Sequence, residues 1–139
     1  MINLSRKLII ICVIVCGWHS ASDAQKLLKF KLPDSGQTGS YTSTPGEDPD
    51  YLINPPSFTD NGDGTITDNN TGLMWQKTDG GEMVFENAGG YCTGLSLGGH
   101  TDWRLPTGIE LFSINNYNNL NPALNTVYFT QTQAQYWWT

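Results

Sequence analysis

The chain has 139 residues, seven basic against thirteen acidic side chains, a net charge of −6 and three cysteines. That length sets one small domain. The acidic balance, with no run of Lys or Arg, excludes a surface built for nucleic acid or another polyanion.

The first element is a targeting segment. Arg6 and Lys7 precede an apolar run over residues 8–17, and Ser22-Asp23-Ala24 offers small residues for cleavage. These are the three parts of an export leader, and the pattern predicts a signal peptide over residues 1–24. The run is too short to span a bilayer, where about 20 residues are needed, so no membrane span is expected after cleavage. Val15 before Cys16 is bulkier than a lipoprotein signal prefers. The remaining 115 residues carry five basic and twelve acidic groups, a net charge of −7. Cys12 and Cys16 leave with the leader, so Cys92 is expected as an orphan thiol in a compartment where disulfides form. His100 is then the only histidine to activate it, and nothing in the spacing brings the two together. The reading is a buried structural thiol.

Residues 26–32 alternate apolar and basic from Leu28 onward, the pattern of a half-buried strand that Pro33 ends. Residues 25–57 form an extended lead-in, rich after Pro33 in Gly, Ser, Thr, Asp and Pro, with Tyr41, Tyr51 and Ile53 as anchors onto the domain.

Residues 58–77 predict three short strands and two tight turns. Asn61-Gly62-Asp63-Gly64 and Asn69-Asn70-Thr71-Gly72 tolerate the positive φ that such turns require. Thr65-Ile66-Thr67 is β-branched. Leu73 and Trp75 share one face at period two and are expected in the core. The first turn also invites a calcium reading. With Asp63-Gly64 at the fifth and sixth loop positions, however, Thr59 stands where an acid belongs and Asn70 fills the twelfth. No specific calcium site is expected, and no cofactor is implied. Asn69-Asn70-Thr71 matches a glycosylation acceptor.

Over residues 82–95, Phe85, Ala88, Tyr91, Cys92 and Leu95 recur at helical spacing and define one apolar face. Gly89 and Gly90 each weaken that helix by about 1 kcal/mol, so packing must hold it. Gly98-Gly99 reads as the stop.

Asp102-Trp103-Arg104-Leu105-Pro106-Thr107 forces a turn at Pro106. Thr107 and Glu110 form a capping box that opens a helix from Gly108 to Tyr117, expected to bury Ile109 and Phe112. Arg104 is read as paired to Asp102 or Glu110. Asn121-Pro122 breaks any helix, while Tyr128-Phe129 and Tyr136-Trp137-Trp138 read as strands.

The Phe58-to-Trp75 unit, the Phe85/Ala88/Tyr91-Cys92/Leu95 spacing, Leu97-Gly98-Gly99 with Asp102-Trp103-Arg104-Leu105-Pro106-Thr107, and Tyr136-Trp137 together resemble the DUF1566 family. That family is also called the C-terminal domain of Legionella collagen-like protein. The likeness runs over most of residues 32–139. It implies an α+β, C-type-lectin-like fold of short antiparallel strands with two helices, over residues 58–139. It also implies a secreted, periplasmic or surface-exposed bacterial module, since the founding member is an adhesin that binds sulfated glycans. Two departures stand out: this chain is acidic, and Phe85 replaces the family's usual Trp. The Arg-Leu-Pro-Thr turn also resembles the formylglycine-generating enzymes, which hold copper with two cysteines, where the processed chain keeps one.

The expected function is therefore a non-enzymatic adhesion or binding module, directed at a surface glycan or protein. A structural part of a surface assembly, as a homo-oligomer or otherwise, is the second reading, and an oxidase the third. Catalytic and metal residues are expected to be none, and the ligand is not named by the sequence. Trp75, Cys92, Trp103, Arg104, Pro106, Thr107 and Glu110 are expected in structural roles. The likeness also implies further strands after Tyr136-Trp137, so the chain is expected to be a fragment that is loosely packed and prone to associate.

Overall fold

The computed structural model describes residues 8–9, 11–15, 31–119 and 122–130. Its centre is the expected triple-stranded unit. β3 (Phe58–Asp60), β4 (Thr65–Asp68) and β5 (Leu73–Gln76) pair antiparallel, with Thr59 opposite Thr67 and Ile66 opposite Trp75. At the first turn Asn61 N–H donates to the Thr65 carbonyl, with Gly62 and Gly64 both at positive φ. The Asp60 and Asp63 carboxylates accept the backbone N–H groups of Gly62 and Thr65, each two residues on, which is Asx-turn chemistry.

The fourth strand was not expected. β1 (Leu8–Ile9) pairs with the short β6 (Glu82–Met83), and β2 (Val13–Val15) lies antiparallel on β5. The sheet order is thus β2-β5-β4-β3. The apolar run that the sequence reads as a leader supplies a strand to the core.

Period-two alternation divides the interior in two. Ile11, Val13, Leu73 and Trp75 face one side of the sheet with Phe58, Ile66, Ile114, Leu124 and Phe129. Cys12, Ile14 and Met74 face the other, with Ala88, Cys92 and Trp103. A strand covered on both faces needs apolar residues at every position, as β2 has.

α1 (Phe85–Gly94) closes the second layer through Ala88 and Cys92, both fully buried, with Tyr91 and Leu95 packed beside them. It starts three residues later than expected, because residues 82–83 are used in β6. Phe85 sits in its first turn and is about half exposed instead of buried. The helix ends at Gly94, before Gly98-Gly99, whose role is a tight turn between Leu97 and His100.

Three further expectations are corrected. In the full chain Cys92 is disulfide-bonded to Cys12, with Cα atoms 5.6 Å apart, whereas the reading without residues 1–24 left it an orphan. α2 (Gly108–Phe112) is five residues long and stops well before Tyr117. Ile109 and Phe112 are exposed, at 70% and 64%, while Ile114 just beyond the helix enters the core. The cause is Ser113, whose hydroxyl reaches both the Glu110 carbonyl and Asp68, turning the chain inward one residue after the helix. Tyr128-Phe129 is a turn, with both N–H groups donating to the Asn125 carbonyl, and Phe129 still fills the core against Phe58. Residues 28–30 and 136–138, read as strands, lie outside the described residues. Lys31 and Leu32 are irregular and carry no strand.

Candidate functional site

The motifs that carry the likeness meet in space. A β-carbon on Gly64 would stand 3.1 Å from Leu97 Cδ1, and one on Gly98 would stand 2.7 Å from Thr65 Cγ2. The Asp63-Gly64-Thr65 turn and the Leu97-Gly98-Gly99 turn therefore interlock, and each needs a residue without a side chain at the contact. Trp103, buried behind them, donates its indole N–H to the Leu97 carbonyl at 3.2 Å.

Arg104 holds the next layer. Its backbone exchanges hydrogen bonds with Val13, at 2.9 and 3.1 Å, so the motif edge clamps β2 from the side opposite β5. Its guanidinium grips Glu110 at 2.6 and 2.9 Å, choosing Glu110 over Asp102. Glu110 also accepts the Thr107 N–H, and Thr107 accepts the Glu110 N–H, so the capping box is in place. Pro106 is buried at the turn. The Glu110 pair lifts the Arg104 guanidinium above its ordinary value. For Glu110, burial is the largest single influence and acts upward. The Arg104 hydrogen bond, with the Thr107 amide and hydroxyl, outweighs it and holds the carboxyl below its ordinary value.

Around the interlocked turns lies a solvated polar rim. Lys77 Nζ is 2.6 Å from Asp60, and that bond, with the Gly62 amide, lowers the Asp60 carboxyl. The Thr65 hydroxyl lowers that of Asp63. His100 Nδ1 stands 4.0 Å from Asp102. The carboxylates of the calcium-like turn are thus engaged by protein donors. Among the described residues no group of three or more His, Cys, Asp or Glu is arranged to hold a metal. Cys92 faces Cys12 in the buried layer, away from His100 at the rim.

A second surface combines aromatic and amide groups. The lead-in docks on the Asn-rich loop: Tyr117 N–H donates to the Ser35 carbonyl, and Thr38 donates its hydroxyl to Asn118. Gly36, at φ +76, approaches Asn116 so closely that a β-carbon would meet its Oδ1 at 2.9 Å. Tyr117 is left 53% exposed between Asn116 and Asn118, and Tyr41 and Tyr51 are exposed on the lead-in. In sequence, Tyr41, Tyr51 and Ile53 read as anchors; all three are exposed, and the backbone and short polar side chains do the docking instead.

Sequence reasoning missed Asp68. It is fully buried at the end of β4, accepting from the Asn70 and Thr71 amides and from the Thr71 and Ser113 hydroxyls. An Asp before Asn-Asn-Thr-Gly signals a turn, and that half of its role was visible.

The chain belongs to the Lcl C-terminal domain family, whose model matches residues 64–139, more than half the chain. The match begins at the first interlocked glycine and includes β5, α1, the Arg104–Glu110 clamp and Tyr117. No curated protein and no solved structure matches. No helix among the described residues is long and apolar enough to cross a membrane.

Proposed function

We propose that this protein is an exported binding module of the bacterial surface that recognises glycans without catalysis. Membership of the Lcl C-terminal domain family is the observation that carries this reading. The local chemistry agrees with it. An exposed Tyr117 offers a ring face for stacking on a sugar, and the flanking Asn116 and Asn118 offer amides to hydroxyls. Residues 1–24 act as the export leader in this reading. The processed chain's charge of −7 repels sulfated polymers, so neutral glycans are the expected ligands.

The test is a glycan array with the full-length protein at high concentration, comparing neutral and sulfated polysaccharides. Neutral binding that Tyr117→Ala removes without changing the melting temperature supports the reading. A uniformly blank array sinks it. A blank array together with discrete oligomers in light scattering would support a structural part of a surface assembly instead.

A further inference from the structure

The chain holds one Asn-Gly dipeptide, Asn61-Gly62, and the first hairpin turn is built on it. In an open chain such a pair reacts with itself. The Gly62 nitrogen, with no β-carbon beside it to hinder the approach, attacks the carbonyl carbon of the Asn61 side chain.

Asn61 is exposed to water, yet both reacting groups are held. Gly62 N–H donates to Asp60 Oδ1 at 3.0 Å, and a carboxylate there disfavours loss of the proton that attack requires. Asn61 Nδ2 donates to the hydroxyls of Thr65 at 2.9 Å and Thr67 at 3.0 Å, and the Thr67 hydroxyl also lies 3.3 Å from Oδ1. The Thr65 hydroxyl gives its own proton to Asp63, so towards Asn61 it accepts, which fixes the orientation of the amide. The Asn61 N–H is tied to the Thr65 carbonyl.

We propose that Asn61 is a modification site gated by this hairpin: the closed turn withholds the amide, and opening of the turn lets it lose ammonia to give an acidic residue that the closed turn does not fit. The Gly62 nitrogen gives its proton to solvent base and bonds to Asn61 Cγ. The Cγ–Nδ2 bond breaks, and Nδ2 leaves as ammonia, its third hydrogen supplied by water. Water then opens the resulting five-membered imide at either carbonyl. Cleavage of the Cγ–N bond leaves aspartate, and cleavage of the backbone C–N bond leaves isoaspartate.

Both products disturb the turn. Each replaces an amide donor with a carboxylate, next in sequence to Asp60 and two residues from Asp63. Isoaspartate also lengthens the backbone by one carbon, which shifts Asn61 out of register with Thr65. The damage reaches the interlocked turns, because Gly64 and Thr65 are the residues that meet Leu97 and Gly98.

The test follows the amide-to-acid mass change at Asn61 in the full-length protein, held in mildly alkaline buffer below its melting temperature. The reference is a free peptide of residues 58–66, too short to hold a hairpin. The peptide is expected to convert at least about ten-fold faster than the protein. Thr67→Val removes the hydroxyl that meets both ends of the amide and keeps a β-branched strand residue. It should speed conversion in the folded protein by about three-fold or more at an unchanged melting temperature, whereas Thr67→Ser, which keeps the hydroxyl, should match the parent. Asn61→Asp, which installs the product charge, should lower the melting temperature and speed hydrogen exchange at the Gly62 and Thr65 amides. Equal rates in protein and peptide, a Thr67→Val rate equal to the parent's, or an Asn61→Asp protein with the parent's melt and exchange would overturn the proposal. Should Thr67→Val lose stability, the parent alone decides. Its conversion rate must then rise in step with Gly62 amide exchange across sub-denaturing guanidinium, and a rate that ignores that exchange overturns the gate.

Discussion

Gly98 lies against Thr65 with no room for a side chain: a β-carbon there would stand 2.7 Å from Thr65 Cγ2 and 3.0 Å from Asp63 Oδ2. Gly98 also has φ +59, where L side chains are disfavoured. The two effects add at one position, because the residue can neither grow nor turn away. Gly98→Ala is expected to destabilise the protein by about 1–3 kcal/mol. Gly99, with nothing within 4 Å of its β-position, bears only the backbone cost of φ +78, so Gly99→Ala should cost about 1 kcal/mol. Urea denaturation of both variants checks the order, and a Gly99 variant weaker than the Gly98 variant would contradict it.

The Arg104–Glu110 clamp makes a pH prediction. The folded Glu110 carboxyl lies below its ordinary value of 4.5, so its contribution is present above about pH 4.5 and lost as pH falls through the folded value. Glu110→Gln should cost about 1 kcal/mol at pH 7, since the pair is partly exposed. Below the folded value the two proteins should converge. Denaturant titrations at several pH values measure the gap, and a gap that persists in acid would argue against the ion pair as its cause.

Burial separates two aromatic positions that look alike in sequence. Trp75 is fully buried against Val13 and Ile66, so Trp75→Ala should cost about 3–5 kcal/mol. Phe112 is 64% exposed, so Phe112→Ser should stay within about 0.5 kcal/mol of the parent. Thermal melts of both variants decide this, and a large loss at Phe112 would place its ring against the core that only Leu111 of α2 reaches here.

Tyr91 fixes α1 to the sheet through its hydroxyl, which accepts from Gln76 Nε2 at 2.7 Å. Its ring covers Gly80, where a β-carbon would meet the ring carbons at 2.5 Å. Gly80→Ala should therefore lower stability by about 1–3 kcal/mol. Tyr91→Phe, which leaves Gln76 buried without that partner, should cost about 1–2 kcal/mol. Chemical denaturation of the two variants measures both losses.

The hairpin unit was legible because period two and turn residues act locally: Leu73 and Trp75 point inward, and Gly62 and Gly64 turn the chain, as their spacing demands. The capping box was legible for the same reason, since Thr107 and Glu110 are neighbours along the chain. The strand β2 at Val13–Val15, with the buried Ile11 and Cys12 before it, was not. A strand buried on both faces and a leader's apolar run present the same unbroken hydrophobic string. The end of α2 depends on Ser113 meeting Asp68, 45 residues away, and no local pattern encodes that partnership. The interlock of Gly98 with Thr65 is likewise tertiary, though the glycines that permit it stand out in the chain.

The central claim is that residues 11–14, leading into and through β2, lie in the core and are tied to α1, and disulfide mapping of the full-length protein tests it most directly. The protein would be folded without reductant, digested, and its cross-linked peptides identified by mass spectrometry. The Cys12–Cys92 peptide pair should be the dominant species, and Cys12→Ser should lower stability by about 2–5 kcal/mol, given the 80-residue separation. Recovery of Cys92 as a free thiol, or bonded to Cys16, in a chain that nevertheless melts cooperatively would contradict the account.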